Sequence, residues 1–444
     1  MQFFWNERKG GTMYTKKWIR GKTMVLTAIM TLLVTVPSLA AENQEVLTLQ
    51  QVVDTAVKNN PAVIESQKRW EEKQARIPLA KAWANPQLGI MKDDIPTGTL
   101  NPFDAMMTEY TFSQDIMNPA KLKAMGKMAG SDAEMAKANY QDKQMEVYTT
   151  AKTAYYDLLY ANKALEIGKA NQEIMGQLVQ IAQVNYSTGM VPLQDTLRAQ
   201  TEFSKMSTDL LSMASMAAVA KAKVNTVLGR KADTPFTVKE EFSAPPPNFD
   251  LAKLQTDAAG GKPAVLGMER QLDMAKNGVE LAKKQQLPDF QFSIGYKDRK
   301  QTMMDTQPDT WKMEFMVMLP IWQGKNKAEM KSAEANLDAA QASLDNMQNM
   351  TGLDLQMALI EAQSAWRQIN LYKNTIVPQA EQTYQAGVVS YTNGKVDFMA
   401  VLDSLNALRN VRLDYYKARV DYEKAAANLE KAVGKPLFTS GAQP

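Results

Sequence analysis

Tyr186–Leu197 reads YSTGMVPLQDTL, and Tyr391–Leu402 reads YTNGKVDFMAVL. Both spell Tyr-x-x-Gly-x-Val-x-[Leu/Phe], and both reach a Leu eight residues past the Gly, at a spacing of 205. One such match is weak; what counts is whether its surroundings also recur. They do. Asn60–Val63 (NPAV) answers Lys262–Val265 (KPAV), Leu79 (LAKA) answers Leu281 (LAKK), and Pro86 answers Pro288, each 202 apart. Each half also closes alike, on VLGRK from Val227 and AVGKP from Ala432. The drift from 202 to 205 places a small insertion between Pro288 and Tyr391. The chain therefore reads as a tandem duplication. Its first repeat spans 41–242 and its second 251–444, joined at 243–250 by SAPPPNFD, whose three prolines cannot continue a helix.

Composition narrows the chemistry. The 444 residues include no Cys and no His. Thiol and imidazole nucleophiles and most zinc sites are thereby excluded. No Gly-rich phosphate loop or acid cluster suggests an enzyme, and no cofactor is expected. Lys16, Lys17, Arg20 and Lys22 precede the apolar run Met24–Val36, and Ser38 and Ala40 follow with the spacing of a cleavage site. Residues 1–40 thus read as an export signal, the run being short for a membrane anchor. Removing them takes six basic residues and one acidic one, so the net charge of +3 becomes 3 − 5 = −2. The basic character sits in the signal, and no nucleic-acid partner is expected.

Each half then switches period. Phe290, Phe292, Ile294 and Tyr296 alternate with Gln291, Ser293, Gly295 and Lys297. Trp311, Met313, Phe315 and Val317 alternate with Lys312, Glu314, Met316 and Met318. These patterns predict strands near 288–297 and 310–320, greasy on one face and polar on the other. Tyr110 and Phe112 mark the matching strand at 107–116, and Leu88 and Ile90 a shorter partner at 86–92. Helical hairpins are expected at 120–228 and 325–433, the second interrupted once, at Pro378. About 65 residues of helix span roughly 100 Å, more than a compact core needs. Four strands cannot close a barrel, which takes about eight or more, and an open edge is not tolerated in lipid. Three chains would supply twelve.

The motifs LTLQQVVDTAVKNNPAV, ANPQLGI, FSQDI, YSTGMVPLQDTLRAQTE, VNTVLGR and YTNGKVDFMAVLDSLNALR occur in this order across the mature chain. So arranged, the chain resembles the TolC-like outer-membrane factor family of Gram-negative bacteria, and most of all its heavy-metal, CzcC- and CusC-like branch. The resemblance implies a homotrimer, with a twelve-strand β-barrel in the outer membrane and a long α-barrel in the periplasm. It further implies a periplasmic adaptor and an inner-membrane RND pump as partners, and heavy-metal cations as cargo, with drug efflux or type I secretion as the alternative. The turns at Gly189–Met190 and Gly394–Lys395 would dock the adaptor. By motif position Asp195, Tyr391 and Asp403 match gate residues of the family. Ala400 and Val396 replace a gate acid and a gate Arg, with Lys395 as the nearest cation.

Two further readings stay open. The 29 Met residues read as packing filler or as a path for soft metal ions, for which Met316 and Met318 on a polar strand face are the candidates. A periplasmic adaptor protein is a more distant alternative; it would carry one hairpin, whereas this chain has two.

Overall fold

The computed structural model describes residues 45–99, 101–242, 244–247, 250–301 and 307–437. The expected export signal lies outside them. Among the described residues the chain is mainly helical with few strands.

Each half opens on two helices, and in the first half both are capped by side chains. In α1 (Leu49–Asn59) the Thr48 hydroxyl accepts from the Gln51 amide while the Gln51 side chain accepts from the Thr48 amide. This reciprocal pair satisfies two amides that the first helical turn leaves open. Asn60 then caps α2 (Pro61–Lys81), and its side-chain amide also donates to the Val227 carbonyl at 2.9 Å. That second bond ties the start of the first half to its end.

The strands β2 (Gln87–Asp93), β3 (Met107–Ile116), β5 (Asp289–Arg299) and β6 (Thr310–Met318) form one antiparallel sheet in the order β2-β3-β5-β6. Its register aligns Leu88 with Phe112, Phe112 with Ile294 and Ile294 with Met313. Ile90, Tyr110, Tyr296 and Trp311 form a parallel row. One face is therefore apolar across all four strands. Two further strands were not legible in the sequence: β1 (Val46–Leu47) and β4 (Thr237–Val238) pair in parallel, apart from the main sheet.

The first hairpin is α3 (Pro119–Ser187, 69 residues) and α4 (Leu193–Val227). After α5 (Leu251–Gly261) and α6 (Pro263–Lys284), the second hairpin leaves the sheet as α7 (Gln323–Leu371). A π-helical segment at Tyr372–Ile376 leads into α8 (Val377–Thr392), and α9 (Phe398–Val433) returns. The expected break at Pro378 is corrected by this geometry. Pro378 removes one amide and crowds the carbonyl four residues back. The wider π turn just ahead absorbs that defect, and the helix continues.

The helices make one layer. Near the sheet the packing order is α2-α3-α6-α7, and toward the turns α4-α3-α9-α8. The layer is open at both sides. On α7, Met350, Leu353, Met357 and Ile360 repeat at three- and four-residue steps and are about half exposed. On α4, Leu197, Leu211, Met216 and Val219 are likewise exposed. The main core, built on Val52, Val53, Tyr155, Tyr156 and Val224, joins α1 to the middle of α3 and the end of α4.

Candidate functional site: the hairpin turns and the polar sheet face

Gly189 and Gly394 hold φ of +73° and +66°. The amide of each donates to the carbonyl three residues back, and the next amide, of Met190 or Lys395, donates to the carbonyl five back at 2.8 and 2.9 Å. This is a helix-ending motif that needs a left-handed residue, which Gly supplies without steric cost. A Cβ on Gly189 would meet nothing within 4 Å, so conformation alone selects glycine there. A Cβ on Gly394 would sit 3.7 Å from the Met190 methyl, so the two turns lie together. One apolar cluster serves both hairpins: Met175, Leu178 and Ala199 from the first, Phe398, Val401 and Leu405 from the second.

Tyr391 is fully buried in that cluster, its ring edge-on to Phe398 at a centroid distance of 5.8 Å. Its hydroxyl has no hydrogen-bond partner within the described residues. Burial pushes the phenol up to about 12, and the Asp195 carboxylate adds to the shift. The structure thus brings Asp195 close to Tyr391, as a charge that is felt rather than a hydrogen bond that is made. Asp195 is half-buried in the first turn of α4, where the helix dipole favours a carboxylate.

Asp403 is exposed on α9, with its neighbours Val401 and Leu402 turned into the core. Lys395 is exposed in the turn, as are Val396 and Ala400. Within this one chain Asp195, and not Asp403, is the charge that acts on Tyr391.

The sequence does not announce the ion pairs that lie about four to five helical turns from the Gly turns. Arg412 reaches Glu381 at 2.7 Å, joining α9 to α8. Arg409 reaches Asp209 at 3.4 Å, joining the second hairpin to the first. NALRNVR places both Arg residues three apart on one helix face, the signal that could have found them.

Met316 and Met318 lie on the polar sheet face with Lys312 and Glu314, opposite Gln291 and Asp289. On the same face Lys297 pairs with the buried Glu109 at 3.4 Å. Among the described residues no group of three or more acidic side chains gathers that could hold a metal ion. Nor is any described helix long and apolar enough to cross a membrane.

The Outer membrane efflux protein family matches residues 52–230 and 254–435, one segment in each half. Among curated proteins, the chain is 21% identical over 381 residues to the Cobalt-zinc-cadmium resistance protein CzcC of Cupriavidus metallidurans, covering 86% of this chain and 88% of the relative. It is 22% identical over 392 residues to the Outer membrane protein TolC of Escherichia coli, covering 84% and 79%. Among solved structures, the channel CusC superposes with a TM-score of 0.73 at 16% identity, covering 87% of this chain and 92% of that one. VceC of Vibrio cholerae superposes at 0.72 and 17%, covering 87% and 96%. The fold is thus that of these channels, and with most of both halves matched, the chain belongs to the outer membrane efflux protein family.

Proposed function

We propose that this chain is the outer-membrane exit duct of a tripartite efflux system, working as a homotrimer with a periplasmic adaptor and an inner-membrane RND-type pump. It does no chemistry; the pump drives transport and this chain supplies a sealed aqueous path. One observation carries the reading most of the way. The sheet is apolar across one whole face, and both of its edge strands, β2 and β6, are exposed. An apolar sheet with two open edges is stable in lipid only if the edges are closed by further copies. The exposed stripe on α7 has the spacing of a helix-packing seam, and α4, on the opposite side of the layer, exposes apolar residues of its own.

The gate belongs at the turns. Asp403, exposed on α9, would become a ring of three carboxylates about the threefold axis, and Lys395 would be the adjoining cation. Tyr391, sealed inside its own chain beside Phe398, would hold the two hairpins together beneath that ring. Gly189–Met190 and Gly394–Lys395, paired at the tip, would form the adaptor's docking surface. Heavy-metal cations are the proposed cargo, supported by the likeness to CzcC.

The mature protein should fractionate with outer membranes and run as a trimer in mild detergent. Deleting its gene should sensitise cells to cobalt, zinc, cadmium, copper or silver. A soluble monomer overturns the duct. Unchanged metal tolerance with new sensitivity to dyes or detergents replaces the cargo with small organic molecules and leaves the duct standing.

A further inference from the structure

The junction between helices and sheet carries an unbalanced charge. Many lysines here have an acidic partner: Lys73 pairs with Asp132 at 2.8 Å, Lys121 with Asp289 at 2.6 Å and Lys283 with Glu280 at 3.3 Å. Lys81, Lys123 and Lys127 have none among the described residues, and all three line one open groove of about 680 Å³ between the end of α2 and the start of α3. Three like charges around one groove repel each other unless an anion sits among them.

The rest of the groove is apolar. Leu122 lines it, with the indole of Trp83 beside it. The Trp83 Nε1–H donates to the Met117 carbonyl at 3.1 Å, which fixes the ring while leaving it 52% exposed. Gly126 makes room for the Lys81 stem: a Cβ there would fall 2.5 Å from its Cγ. Leu79, in the last turn of α2, is 72% exposed. The groove therefore offers cationic groups beside an apolar surface. It sits where the apolar sheet face ends and the helices begin. In the outer-membrane reading on which this inference rests, that level is the periplasmic surface of the bilayer. Basic side chains and an indole at such a level match a lipid that is both anionic and greasy.

We propose that the Lys81–Lys123–Lys127 groove binds the headgroup phosphate of an anionic glycerophospholipid of the periplasmic leaflet, with the Trp83 ring against the glycerol and upper acyl chain. Native mass spectrometry of the purified protein in mild detergent, with dioleoyl phosphatidylglycerol or dioleoyl phosphatidylcholine added, reads this directly. The wild type should retain phosphatidylglycerol about tenfold better than phosphatidylcholine. The triple variant K81Q/K123Q/K127Q should lose that preference. A control of equal charge, K58Q/K169Q/K253Q, should keep it. Equal retention of the two lipids by the wild type overturns the site, as does a preference that survives in the triple variant or is lost equally in the control. Conductance in planar bilayers separates this from the duct. A protein that conducts without lipid preference loses only the groove. One that prefers phosphatidylglycerol but never conducts loses only the duct. Conductance by the triple variant shows that it folds.

Discussion

Tyr391 shows how one residue can be legible in type and not in environment. The motif Tyr-x-x-Gly placed it at a helix end, because a left-handed stop is local chemistry. That its hydroxyl would be buried without a partner in its own chain depends on Phe398 and Asp195, which reach it through tertiary packing. The raised phenol has a consequence for alkaline stability. A free Tyr loses its proton near pH 10, whereas this one holds it to about 12. Its contribution is complete below pH 10 and is lost as pH climbs toward 12, because the unfolded chain ionises first. The loss is at most about 2.7 kcal/mol, two pKa units at 1.36 kcal/mol each. Tyr391→Phe should remove that part of the slope while leaving stability at pH 7 nearly unchanged, and pH-dependent melting of both proteins checks it. The buried pair Lys152–Glu430 was not legible at all. Its partners are 278 positions apart and meet at 2.6 Å across α3 and α9. Glu430 also accepts from the Leu437 amide at 3.0 Å. Glu430→Gln should destabilise by about 3–5 kcal/mol, since it strands a buried ammonium. The double variant K152M/E430Q should recover most of that loss in the same melting assay.

At the scale of elements, periodicity carried far where the elements are long. Phe290 to Tyr296 alternate over several residues, so their strand is visible as a period of two. Val46–Leu47 and Thr237–Val238 are two residues each, too short to show any period, and were missed for that reason. Proline chemistry is local and predicts a break at Pro378, whereas its accommodation is not local. The helical run 323–392 has 70 residues, one more than α3, and a π segment takes up one residue relative to an α-helix. It thereby absorbs part of the insertion that shifts the repeat spacing from 202 to 205, and it keeps Tyr391 in register with Phe398. Deleting Asn374 together with Pro378→Ala should give a regular α-helix, with trimer and melting temperature close to wild type. Deleting Ala386, beyond the π segment, removes the same length but turns the tip by about 100° relative to α9. It should displace Tyr391 from the tip cluster and lower the melting temperature sharply.

The whole molecule asks more of a sequence than one chain can show, because the apolar side of the sheet and the open sides of the helical layer find no cover among the described residues. Trp311, Met313 and Phe315 are each about two-thirds exposed or more. The alternation in β6 told which residues share a face, and the register confirms how those faces align across the sheet. It could not tell what covers them, since a lipid, a neighbouring chain and a further domain leave the same pattern. The two faces nevertheless respond differently to charge if lipid lies on one and water on the other. Met313 is on the apolar face, in register with Ile294; Glu314 is on the polar one, in register with Ser293. A Lys at a lipid-facing midplane position costs about 2–4 kcal/mol, whereas a lumen-facing one alters selectivity at little cost in stability. Met313→Lys should therefore lower the amount of trimer in outer membranes several-fold. Glu314→Lys should assemble normally and shift the channel away from cations. Quantifying heat-resistant trimer on gels, with single-channel reversal potentials for whatever assembles, reads both. If Met313→Lys assembles like wild type, that face meets water or protein rather than lipid, and the assignment of inside and outside to the sheet is reversed or void.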